Sequence, residues 1–66
     1  MITVLINQVA HQLPSSATLQ DAIEAAGVKP PFAAAVNMQF VPRSAYAQHR
    51  LSANDQVELI SPITGG

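Results

Sequence analysis

One short amphipathic helix limits the architectures that this chain can adopt. Thr18 is a favourable N-cap, and Asp21, three residues later, completes a variant of the capping box. Gly27 stands where a left-handed helix cap is expected, and two prolines follow at residues 30–31. Between the caps, apolar residues recur with the i, i+3, i+4, i+7 spacing of one stripe: Leu19, Ala22, Ile23 and Ala26. The sequence therefore predicts one helix with one face to bury.

The segments around this helix are alternating or short and apolar, which predicts β-strands. A turn at Asn7 and Gln8 separates the first two, and Pro42 ends the fourth. Residues 43–50 carry no clear pattern and predict an irregular turn around Tyr46, and a further turn is expected before the last strand. The predicted strands cover residues 1–7, 9–13, 32–36, 40–41 and 57–61.

The order of these elements predicts an α+β fold. A single helix with one apolar stripe is buried most economically across one face of a mixed sheet. We therefore expect a β-grasp domain, with four to five strands and one main helix, over residues 1–61, and a flexible C-terminal tail over residues 62–66. With 66 residues the core must be thin, since a chain of this size buries only about 60% of its unfolded surface.

The charge balance argues against several classes of partner. Three cations stand against four anions, and they are scattered, so no phosphate-neutralising patch for nucleic acid is expected. No segment is apolar enough to span a bilayer, and the N-terminus lacks the features of a signal peptide. We expect a cytoplasmic protein that is monomeric when free.

Cysteine is absent from the sequence. This excludes disulfides, thiolate zinc sites and thiol nucleophiles. His11 and His49 lie far apart, without carboxylates at ligand spacing, so no metal site is expected. No acid, base and nucleophile constellation is evident, and we expect a protein that is not an enzyme and binds no cofactor.

The sequence stops at Gly65 and Gly66. Two glycines without Cβ atoms can thread a narrow channel and leave the carboxylate unhindered. Once ATP has activated that carboxylate as an acyl-adenylate, it can accept sulfur or an amine. Because glycine usage is near 7%, two terminal glycines occur by chance in only about 0.5% of chains. A frayed end is the alternative.

The chain resembles the thiamine-biosynthesis sulfur carrier proteins, which are small ubiquitin-like β-grasp proteins. One departure concerns the last turn, where the family usually has Gly-Asp and this chain has Asn54 and Asp55. Asparagine tolerates the left-handed conformation, so we expect the turn to be kept. The resemblance rests on Ala35-Val36-Asn37, Phe40-Val41-Pro42-Arg43, Tyr46-Ala47, Leu51, Asp55, Val57-Glu58 and residues 62–66.

This resemblance implies a cycle of modification at Gly66. An adenylyltransferase of the ubiquitin-activating type would use ATP and Mg²⁺ to adenylate its carboxylate. Sulfur mobilised from cysteine would then replace AMP and leave a thiocarboxylate, which delivers sulfur to thiazole synthase. The residues that would thread the partner active site are Pro62, Ile63, Thr64 and Gly65.

Strand alternation suggests a docking surface for these partners. If Val57 and Leu59 face the helix, Glu58 and Ile60 face outward, and Leu5 does so on the first strand. We hypothesise that Leu5, Ile60 and Ile63 form an apolar docking patch. Asp55 and Glu58 are candidates for contacting a basic patch on the activating enzyme, although acidic residues at such positions more often belong to a solvated turn and strand edge.

Two other functions remain open at the level of sequence. The first is a sulfur carrier of the molybdopterin synthase type, also β-grasp with Gly-Gly, although that family is usually longer. The second is a ubiquitin-like interaction module in which the tail is incidental. Removal of Gly66 separates this module from a carrier, because a binding module keeps its partner without that residue.

Overall fold

The computed structural model describes residues 1–61, which form a five-stranded mixed sheet crossed by one helix. The strand order across the sheet is β2-β1-β5-β3-β4. β1 and β5 are parallel, and the other neighbouring pairs are antiparallel. The elements are β1 (Ile2–Ile6), β2 (Val9–Leu13), α1 (Leu19–Ala26), β3 (Ala33–Val36), β4 (Gln39–Val41), a 3₁₀ turn (Arg43–Ala45) and β5 (Gln56–Ile60). The β-grasp prediction is confirmed, and the predicted strand ends shift by one residue in places.

The helix has the caps that its sequence predicts. Asp21 N–H donates to Thr18 Oγ1 at 3.3 Å, and Thr18 N–H donates to the Asp21 carboxylate at 2.9 Å, which closes a capping box. Gly27 ends the helix with φ of 73° and donates to the carbonyls of Ile23 and Glu24. The helix therefore begins and ends at positions set by local chemistry.

The irregular segment after β4 completes the helix N-terminus. Leu19 N–H donates to the carbonyl of His49 at 2.8 Å, and Gln20 N–H donates to the carbonyl of Tyr46 at 3.1 Å. These two groups belong to the first turn of the helix, where backbone donors have no partner inside the helix. The segment around Tyr46, predicted as an irregular turn, therefore holds the start of the helix against the rest of the fold.

The core lies between α1 and one face of the sheet. Val4 and Leu19 are fully buried, and Val57 is almost so. On β2 only Leu13 is buried, whereas His11 is half-buried and Val9 is exposed, because β2 is an edge strand with a neighbour on one side. Other buried apolar residues are Ile6, Ala17, Ala22, Ile23, Ala34, Val36, Val41, Tyr46, Leu51 and Leu59.

Two hairpin turns with positive φ connect the antiparallel pairs. Asn7 and Gln8 join β1 to β2 with φ of 50° and 69°, and Asn37 and Met38 join β3 to β4 with φ of 51° and 69°. Positive φ at both central residues matches the right-handed twist of the strands. Asn54, in the turn before β5, also has φ of 69°, so the left-handed turn expected at this position is present.

Within residues 1–61 there is no helix long and apolar enough to cross a membrane.

Candidate functional site

The site that the sequence predicts begins where β5 ends. This strand lies at the centre of the sheet, between β1 and β3, and Ile60 is still paired with Ala33. The tail residues Pro62, Ile63, Thr64, Gly65 and Gly66, with the predicted modification site, lie outside the described residues. The structure therefore places the base of the tail on a strand that is paired along its whole length.

Asn7 extends the pairing of β5 beyond the end of β1. Its backbone N–H donates to the carbonyl of Val57 at 2.9 Å. Its side-chain oxygen accepts from Leu59 N–H at 2.9 Å, and its side-chain nitrogen donates to the Leu59 carbonyl at 3.2 Å. The Asn7 side-chain amide thus makes the two hydrogen bonds that a neighbouring strand would make with Leu59. These bonds fix β5 one residue before Ile60.

Asp55 belongs to the opposite end of β5. One of its carboxylate oxygens accepts from Ser52 N–H at 2.8 Å, and the other accepts from the Asn37 side chain at 3.0 Å. Asn37 in turn accepts from Gln56 N–H at 2.9 Å. Five residues of strand separate Asp55 from Ile60, about 16 Å at ~3.3 Å per residue. The geometry gives Asp55 a role in turn structure, and contact with a partner stays a prediction for it.

The three other proposed docking residues share the sheet face opposite the helix. Glu58 and Ile60 are exposed on β5, and Leu5 is half-buried opposite Gln56 on β1. Leu5 and Ile60 do not adjoin each other, because four residues of strand, about 13 Å, separate the level of Gln56 from that of Ile60. Glu58 lies between them, so a charged residue interrupts the apolar patch that the sequence predicts.

Phe40 supplies an apolar side chain that the sequence analysis did not place on this face. It is 69% exposed, and Ile60 is 60% exposed. Ala35 pairs with both Phe40 and Glu58, and Ala33 pairs with Ile60, so two small residues separate the two large ones. The alternation of β4 contains the signal that was missed: Val41 faces the core, so Phe40 faces outward.

The remaining sequence candidates lie elsewhere. Tyr46 is buried and stacks on Phe32 with ring centroids 5.9 Å apart, so it contributes to packing. His11 is on β2, and His49 lies beside the helix N-terminus. Among residues 1–61, no group of three His, Asp or Glu side chains is arranged to hold a metal ion.

Comparison with known proteins gives matches over nearly the whole chain. The model of the ThiS family matches residues 3–66. The sulfur carrier protein ThiS of Escherichia coli (strain K12) is 36% identical over 64 residues, which cover 96% of this chain and 97% of that protein. The crystal structure of the thiamine biosynthesis protein ThiS from Geobacter metallireducens has a TM-score of 0.80 at 17% identity, over 98% of this chain and 100% of that chain, and supports the fold.

Proposed function

This chain belongs to the ThiS family of sulfur carrier proteins in thiamine biosynthesis, and we propose that it carries sulfur on the carboxyl group of Gly66. The observation that carries the proposal is the match to a curated sulfur carrier protein over 97% of that protein's length. The family match includes residues 62–66, which hold the Gly-Gly pair. Because the sequence has no cysteine, no thiol on this chain can serve as an alternative attachment point.

The proposed chemistry takes place in two steps at the carboxyl group of Gly66. A carboxylate oxygen of Gly66 attacks the α-phosphorus of ATP in the active site of an adenylyltransferase, and pyrophosphate leaves. A sulfur nucleophile then attacks the acyl carbon, and AMP leaves. ATP and Mg²⁺ belong to the partner in this scheme, and thiazole synthase receives the sulfur from the resulting thiocarboxylate. Such ATP-dependent chemistry is expected in the cytoplasm.

The tail is long enough for this role. Five extended residues span at most about 18 Å at ~3.3–3.6 Å each. Pro62 restricts the backbone at the base, which reduces the entropy lost when the tail is ordered. Within the domain, β5 is paired as far as Ile60. We therefore propose that the partner binds a rigid domain and that only the narrow tail enters its active site.

We assign partner docking to the sheet face opposite the helix, close to the base of the tail. Ile60 and Phe40 offer apolar side chains across the small residues Ala33 and Ala35. Glu58 and Leu5 continue the same face toward the start of β5, and Glu58 provides a negative charge for a basic partner. The partner that this face fits is an adenylyltransferase surface with an apolar centre and a basic margin. Ile63, the third member of the predicted patch, lies outside the described residues.

A reconstituted assay with the adenylyltransferase, a sulfur source and thiazole synthase tests the function. The complete chain should support thiazole formation, and the variant lacking Gly66 should not. If the variant lacking Gly66 supports thiazole formation as well, the proposal is wrong. Replacing thiazole synthase with the large subunit of molybdopterin synthase tests the related pathway, where we expect no product.

A further inference from the structure

A groove on the helix side of the molecule has no part in the docking surface described above. It has a volume of about 640 Å³ and lies between the C-terminal end of α1 and the segment that leads into β3. Its apolar lining includes Ile23, Val28, Phe32 and Tyr46. Lys29 and Arg43 also line it, so the groove combines an apolar floor with positive charge.

The sheet register brings the end of β5 to this groove. Ile60 pairs with Ala33 in the antiparallel β3–β5 ladder. Ser61 therefore lies at the level of Phe32, and neighbouring strands are about 5 Å apart. Since Phe32 is part of the groove lining, the chain leaves the described domain beside a residue of the groove.

We propose that this groove is an intramolecular binding site for residues 62–66. Ile63 would rest on Val28 and Phe32, and the Gly66 carboxylate would reach the charges of Lys29 and Arg43. This inference rests on the proposed function, which takes Gly66 as the free carboxyl end. Five extended residues reach at most about 18 Å, and this reach starts at Ser61, beside the groove residue Phe32.

Charge complementarity supports this occupant over others. The chain has three cations in all, and two of them, Lys29 and Arg43, line the groove, against one anion, Glu24. The carboxylate of Gly66 would add a second anion opposite these two cations. Because Lys29 and Arg43 are exposed, each ion pair contributes little and is screened by salt, so the contact opens readily.

Such a contact would set the fraction of molecules that are ready for activation. A tail that rests in the groove cannot enter the active site of the adenylyltransferase at the same time. The apparent affinity of that enzyme is therefore reduced by the fraction of molecules with an undocked tail. Loss of one groove cation should raise kcat/KM for adenylation.

Nuclear magnetic resonance of the complete chain tests the contact without any enzyme. We expect nuclear Overhauser effects from the Ile63 methyl groups to Val28 and Phe32, and a Gly66 amide shift that changes in K29Q and R43Q. R50Q removes the third cation, which does not line the groove, and is the matched control. Absence of these effects, with a Gly66 shift equal in all variants, would overturn the inference even if Gly66 is shown to carry sulfur.

Adenylation kinetics give the second readout. R43Q should raise kcat/KM by about 1.5- to 5-fold, the range that corresponds to an exposed ion pair, and R50Q should leave it unchanged. A fall in kcat/KM for R43Q would mean that the groove binds the enzyme, and broadening that depends on protein concentration would mean that it binds a second copy. Either result contradicts the intramolecular contact.

Discussion

Three asparagines hold left-handed backbone positions in this small domain. Asn7 and Asn37 each begin a two-residue hairpin turn, and Asn54 stands in the turn before β5. The side chains of Asn7 and Asn37 both bond to the backbone of β5, at Leu59 and at Gln56. Each of these two asparagines thus shapes the turn of its own hairpin and also ties that hairpin to the central strand.

Asn54 can be tested by comparing two substitutions. Its φ of 69° is one that alanine adopts at a cost of about 1 kcal/mol and glycine adopts freely. We expect Asn54→Ala to lower the free energy of unfolding by about 1 kcal/mol, and Asn54→Gly to change it by less than about 0.5 kcal/mol. Urea unfolding measures both. Equal effects of the two variants would contradict a backbone origin.

Asn7 offers a separate test of the side-chain bonds to Leu59. Asn7→Gly keeps the left-handed backbone and removes both bonds, so we expect a loss of about 1–3 kcal/mol in the free energy of unfolding. Gln8→Gly is the matched control, because Gln8 is its neighbour, has φ of 69° and is exposed. A loss no larger for Asn7→Gly than for Gln8→Gly would show that the amide contributes nothing.

At this scale the sequence predicted backbone conformation better than side-chain partners. The tolerance of Asn54 for positive φ follows from residue chemistry alone, and the structure confirms it. The bonds from Asn7 to Leu59 join residues 52 positions apart, and no local pattern specifies them. They depend on the parallel pairing of β1 with β5, which exists only after the sheet has formed.

The two faces of the sheet have different roles in this domain. The helix covers one face, and its caps and stripe were evident in the sequence because each is a local feature. The strand predicted over residues 32–36 is confirmed as β3, although three of the four residues of β3 are alanines. The open face was predicted in part: Ile60 and Glu58 face outward as expected, and Phe40 was missed.

Ile60 tests the open face as a docking surface. We expect Ile60→Asp to weaken binding to the adenylyltransferase at least about tenfold, as for a residue near the centre of an interface, with little change in stability. Val9→Asp is the matched control, because Val9 is 59% exposed, almost the same as Ile60, and lies on edge strand β2. Isothermal titration calorimetry gives both dissociation constants. Equal dissociation constants for the two variants would remove the docking assignment.

In the molecule as a whole, the residues that stabilise the fold are separate from the residue that is proposed to carry sulfur. The core and the sheet lie within residues 1–61, whereas the proposed attachment point is Gly66. The fold was predictable because element order and periodicity restrict a chain of 66 residues to few architectures. The groove beside Lys29 and Arg43 was not, because its walls come from the helix end, the segment before β3 and the 3₁₀ turn, which only the tertiary structure brings together.

The central claim, that Gly66 carries the sulfur, is tested most directly by high-resolution mass spectrometry of the C-terminal fragment. The chain is first incubated with the adenylyltransferase, Mg-ATP and a sulfur source. Fragment-level resolution is needed because oxidation of Met1 or Met38, both highly exposed, adds nearly the same mass as exchange of oxygen for sulfur. The account predicts sulfur on Gly66, and none in the variant lacking Gly66. An unmodified tail with a demonstrably active enzyme would contradict it.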